Sequence, residues 1–163
     1  MNMGKLHHTV LGLALLLPTA ANAETKEEWI TLGARVHGGI GPFIPVGIRI
    51  GIDALERLKA PRHEVIVTYY DAGLPPCPCI ADGIMIATQA TPAQKMMIFS
   101  SEKPPEEFMA VIVIRNRKTA EEVRYTIAKE WHPKILAWRA LDPSNRYDAG
   151  MSAEGIFQVE QVK

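Results

Sequence analysis

The sequence predicts an α+β domain with helices packed on a mixed β-sheet, and three observations lead there. Apolar residues recur at helical spacing in several stretches. Short runs rich in β-branched and aromatic residues stand between them, as strands do. The two kinds do not alternate in a regular strand–helix–strand repeat, which argues against a parallel doubly wound sheet.

Residues 1–23 are expected to be removed from the mature protein. Lys5 with His7 and His8 makes a mildly basic start, residues 10–17 are apolar, and residues 18–23 end in the small-x-small pattern cut after Ala23. The apolar run is shorter than the ~20 residues a helix needs to cross a bilayer. Export follows, to the periplasm if the host is Gram-negative. Residues 24–163 remain, 140 positions (163 − 23), the size of one domain, with 134–163 its least patterned part. Lys5 is the leader's one charged side chain, so the mature part carries 17 basic (18 − 1) against 18 acidic groups. That balance offers no electrostatic footprint for nucleic acid or anionic lipid.

A first helix is expected over 25–36, where Thr25 and Glu28 fit a capping box and Trp29, Leu32, Gly33 and Val36 share a face. The turn His37-Gly38-Gly39-Ile40-Gly41-Pro42 follows, its glycines permitting backbone conformations closed to other residues. Residues 43–59 predict a second helix, apolar on more than one face and therefore buried. Gly47 and Gly51 would form a smooth patch on it, and Arg49 and Asp53 stand at pairing distance. Strands are expected at 63–70, 95–100 and 108–115, with a third helix over 79–91. Thr119 with Glu122 reads as the capping box of a fourth helix, stopping near His132-Pro133. In the tail, 135–138 extends a helix, 143–150 is loop-like and 156–162 alternates like an edge strand.

Two cysteines are present, Cys77 and Cys79, separated by Pro78. Cysteines one residue apart rarely meet disulfide geometry, which needs Cα atoms within about 7 Å and converging side chains. A strained, easily reduced disulfide, a soft-metal site at a helix N-terminus and a pair without a role all stay open. His37 beside the glycine turn is the second candidate. His63, at a strand start, and His132, at a helix end where the dipole explains it, are weaker. Met85, Met96, Met97, Met109 and Met151 bring copper(I) to mind, but they form no M-x-M pattern and core filling accounts for them better. No phosphate-binding loop, G-x-S-x-G elbow or H-E-x-x-H helix occurs.

Two segments resemble the FmdE-like family, named for a component of formylmethanofuran dehydrogenase. His37 to Pro42 and the residues through Gly51 are similar to its H-G-H-x-C-P-G-x-A-x-G-x-R-x-G signature, and Cys79-Ile80-Ala81-Asp82-Gly83-Ile84 to its C-x-x-D-A-I segment. Residues 88–98 are weakly similar to a T-G-C-T-x-G-K stretch. The resemblance implies an α+β fold and makes His37 and Cys79 metal-ligand positions, with Asp82 matching the family's Asp. Gly39, Gly41 and Ala90 stand where the family has a His and two Cys. Cys77 offers a replacement, giving His37, Cys77 and Cys79 as ligands for zinc or another transition metal, with one position open. Gly38, Gly39, Gly41 and Asp82 are then the residues facing a small ligand, with Arg49 and Tyr70 as further support. The expectation is an exported binding or accessory protein, without independent catalysis, whose partner is a metal ion or small cofactor. Homo-oligomerisation stays open. The alternatives are a thiol oxidoreductase using Cys77-Pro78-Cys79 and a scaffold with a lost metal site.

Overall fold

In a computed structural model, residues 24–162 are described, and the expected leader, residues 1–23, lies outside them. The elements are α1 (Lys26–His37), α2 (Phe43–Arg57), β1 (Val65–Asp71), α3 (Ile80–Thr88), β2 (Met97–Phe99), β3 (Phe108–Asn116), β4 (Glu122–Ala128), α4 (Trp131–Ala137), α5 (Pro143–Ser152) and β5 (Gln158–Gln161). The strands form one sheet in the order β2-β1-β3-β4-β5. Only β1 and β2 run parallel, joined across α3, and the other pairs are antiparallel. The α+β expectation holds. No helix among the described residues is long and apolar enough to cross a membrane.

Period-2 alternation sets the buried face of the sheet. Val65, Val67 and Tyr69, Ala110, Ile112 and Ile114, and Val123, Tyr125 and Ile127 are all buried. α2 contacts α3, α5 and β4, so its apolar residues are used on several faces, as its sequence required. Ile44, Ile48 and Ile50 are fully buried, each worth about 1.5–3 kcal/mol relative to exposure. α2 and α3 meet backbone to backbone at Gly47 and Gly83. A Cβ on either would come 2.9 Å from the other's Cα and collide with a carbonyl oxygen of the facing helix. Gly51 does the same opposite Ala87, where a Cβ would meet Ala87 Cβ at 2.6 Å. The predicted smooth patch is therefore a helix-crossing surface.

Four expectations are corrected. The helix expected from Thr119 is strand β4: Val123, Tyr125 and Ile127 point inward and Arg124 outward, a period-2 signal that outweighed the capping box. Thr119 instead belongs to the hairpin turn, where Asn116 Oδ1 accepts from the Lys118 and Thr119 N–H groups. A helix begins near Pro133 rather than ending there, because proline in a first turn surrenders no intrahelical hydrogen bond. The loop expected at 143–150 is α5, capped by Asp142 with Pro143 as its first residue. Arg49 does not pair with Asp53. It donates to Ala153 O at 2.7 Å and lies over the Phe157 ring, while Asp53 accepts from Arg57 and from the buried Tyr125 hydroxyl.

Candidate functional site

The site is assembled at the ends of three helices. His37 is the last residue of α1, and Gly38 closes that helix in the left-handed conformation at φ 84°, its N–H bonding Ala34 O. Of the three turn glycines only Gly38 has a positive φ. The conformational freedom expected of Gly39 and Gly41 is not used, and their lack of a side chain is what matters. A Cβ at Gly39 would meet nothing within 4 Å, and one at Gly41 would sit 3.8 Å from His37 Nε2.

The cysteines come from a second segment of the chain. Cys79 is the N-cap of α3 and Cys77 lies in the loop before it. That loop is held by His132 Nε2 donating to Pro75 O at 2.7 Å, while the His132 ring stacks on Phe43. His132 thus stands in the first turn of α4, and the dipole account expected for a helix C-terminus does not apply. Cys77 and Cys79 form a disulfide with Cα atoms 5.2 Å apart. That separation lies inside the Cα range a disulfide needs.

C-x-x-D spacing has a physical reason here. Cys79 and Asp82 are three residues apart at the start of α3 and so share a face. Asp82 Oδ2 accepts from His37 Nδ1–H at 2.7 Å, with both side chains partly exposed. This bond selects the tautomer that leaves Nε2 as the free ring nitrogen. One ring nitrogen of His37 and the two sulfurs lie within 4.8 Å of one another, a group that can hold a metal ion. Tetrahedral zinc with bonds of about 2.0–2.3 Å would set ligand atoms roughly 3.3–3.8 Å apart, so modest adjustment suffices once the sulfurs separate. Separation is required, because thiolate is the metal ligand and a disulfide offers none.

His37, Cys77 and Cys79 line a cavity of about 380 Å³ together with Gly38, Gly39 and Gly41. Asp82 stands behind the imidazole rather than in the wall. Arg49 and Tyr70 are elsewhere: Tyr70 belongs to a separate concavity on the outer face of the sheet, with Lys103 and Arg124. His63 is also remote, its backbone N–H bonding Thr88 O and its carbonyl accepting from Arg117. Two residues that no sequence motif singles out, Arg139 and Arg146, complete the cavity. They follow His37 by about a hundred positions, and no local pattern connects them to it.

The model for the FmdE family, described as "Molybdenum formylmethanofuran dehydrogenase operon", matches residues 36–155. The chain belongs to the FmdE family. The match starts one residue before His37 and continues through both cysteines, Arg139 and Arg146 to the end of α5. It reaches well beyond the two motif segments that carry the resemblance. A comparison with curated proteins finds none that matches the chain.

In this FmdE-family chain the donors at the cavity are His37, Cys77 and Cys79, with Asp82 behind the imidazole and Gly39 and Gly41 lining the same cavity. Gly41 lies against the His37 ring, so a side chain there would point at the group. The three donors, with space beside them, fit an open metal site once the disulfide is reduced.

Proposed function

We propose that this protein is an exported accessory member of the FmdE family that binds zinc or another transition metal through His37 Nε2, Cys77 Sγ and Cys79 Sγ. The convergence of a His37 ring nitrogen with the two sulfurs within 4.8 Å, from two separate segments of the chain, carries the reading. Asp82 holds the imidazole by Nδ1 and fixes its tautomer and orientation, the role that outer carboxylates play at histidine-ligated metals. A bound ion would supply Lewis acidity at the open position, and the residues themselves supply orientation and a partly buried wall. Cys79 is buried while Cys77 is partly exposed, so the site is reached from the Cys77 side. Reduction of the disulfide precedes binding. The signal-like residues 1–23 support a periplasmic location, where the redox state of the pair becomes the control on occupancy.

Metal content of the purified protein tests this. Reduced protein is expected to take up about one equivalent of zinc and the oxidised protein almost none. His37→Ala and Cys77→Ser should abolish uptake. Occupancy of reduced protein below about 0.1 equivalents for every transition metal would refute the reading.

A second reading rests on the disulfide itself. An incoming thiolate attacks Cys77 Sγ, the more exposed sulfur, forming a mixed disulfide and releasing Cys79 as a thiolate at the α3 N-terminus, where the helix dipole favours it. A second thiolate of the same partner then attacks the mixed disulfide, freeing Cys77 and leaving the partner oxidised. Two electrons pass from partner dithiol to protein disulfide. Protein that stays oxidised in millimolar dithiothreitol would exclude this chemistry.

A further inference from the structure

The cavity lined by His37, Cys77 and Cys79 also carries positive charge. Arg139 and Arg146 both line it, and no Asp or Glu does. Arg146 is partly buried, and its guanidinium donates to four backbone carbonyls: Nη1 to Ile40 O, Nε to Trp138 O, and Nη2 to Arg139 O and Leu141 O. Four of its five N–H groups are thereby used, and among the described residues no carboxylate pairs with it. Carbonyl dipoles hold the group in place without cancelling its charge. Arg139, exposed on the short 3-10 turn after α4, has no hydrogen bond or ion pair from its guanidinium among the described residues. It is a free fork beside a fixed cation.

From this pairing we infer that the cavity binds a small oxyanion, a carboxylate or phosphate group. Arg139 closes on the anion with two parallel N–H donors, the geometry that matches carboxylate and phosphate oxygens. Arg146 supplies fixed charge and its remaining N–H. The cavity, at about 380 Å³, has room for a small acid. His37 and the cysteines, which line the same cavity, meet whatever the anion carries. The same charge also compensates the two thiolates formed when the disulfide is reduced. The anion site does not depend on a bound metal, and it stands if the metal reading fails.

Calorimetric titration of the protein, with its disulfide intact and metal removed by EDTA, tests the inference with acetate in one arm and inorganic phosphate in the other. One-to-one saturable binding of at least one anion is expected, and the preferred arm identifies the oxyanion type. Arg139→Gln should weaken it by about tenfold or more, since a charge-assisted fork is lost from a side chain that holds nothing in the fold. Arg115→Gln removes the same charge from the far side of the sheet and should change affinity less than about twofold. Absence of saturable binding of both anions below about 10 mM, or equal affinities in wild type and Arg139→Gln, overturns the site.

Discussion

Gly47→Ala puts the helix crossing that builds the site under direct test. The new methyl would come 2.9 Å from Gly83 Cα and from Ile84 N, and would run into Ile80 O. All three are backbone atoms, so no side chain can rotate away. α2 and α3 must part, loosening the fully buried Ile44, Ile48 and Ile84 around them. Overpacking of this kind costs about 1–3 kcal/mol, and rigid backbone partners place it near ~3 kcal/mol. The better helix propensity of alanine returns about 1 kcal/mol. The net loss is then ~2 kcal/mol, which for ~140 residues with an unfolding entropy of about 0.3 kcal/mol/K lowers Tm by about 7 °C. Gly39→Ala is the control, since its methyl meets nothing within 4 Å and its φ is not positive. Thermal unfolding followed by circular dichroism separates the two. A Gly47→Ala Tm within about 2 °C of Gly39→Ala would refute the claim that the helices meet through this glycine pair.

Gly41→Cys adds a donor whose Cβ lies 3.8 Å from His37 Nε2, and should tighten zinc binding to reduced protein by about tenfold or more in competition with a chromogenic chelator. Asp82→Asn keeps the shape but removes the carboxylate behind His37, and should weaken zinc about 10–100-fold in the same assay. Thr25→Ala removes the side-chain half of the α1 capping box and should cost about 1 kcal/mol by urea denaturation. Glu24 is hydrogen-bonded by Arg62, which lowers its carboxyl pKa below the ordinary 4.5. Its stabilising effect is therefore complete above the unfolded value and disappears as pH falls through the folded one. Because the pair is partly exposed and screened by water, Glu24→Gln should remove less than ~1 kcal/mol at neutral pH and nothing once wild-type Glu24 is itself protonated.

Strong local codes were legible in the chain itself. The α1 capping box, the multiply apolar α2, the β-branched β1 and β3 and the C-x-x-D start of α3 each state their conformation within a few residues. The miss at β4 had a visible cue, since Val-Arg-Tyr-Thr-Ile alternates strictly, but Thr119 and Glu122 imitate a helix start. α5 too was signalled, by Asp142 before Pro143, and was obscured by the polar residues that follow.

From the sequence alone came the family resemblance, the α+β class and the nomination of His37, Cys77, Cys79 and Asp82, because these depend on residue types at short spacings. Tertiary structure decided what those residues do to one another. Cys77 and Cys79 are bridged, Asp82 holds His37 by Nδ1, and Gly41 leaves the ring face open. It also brought Arg139 and Arg146 into the same cavity. Chain folding sets such long-range neighbours through the packing of α2 against α3 and α5, and no spacing along the chain encodes that distance.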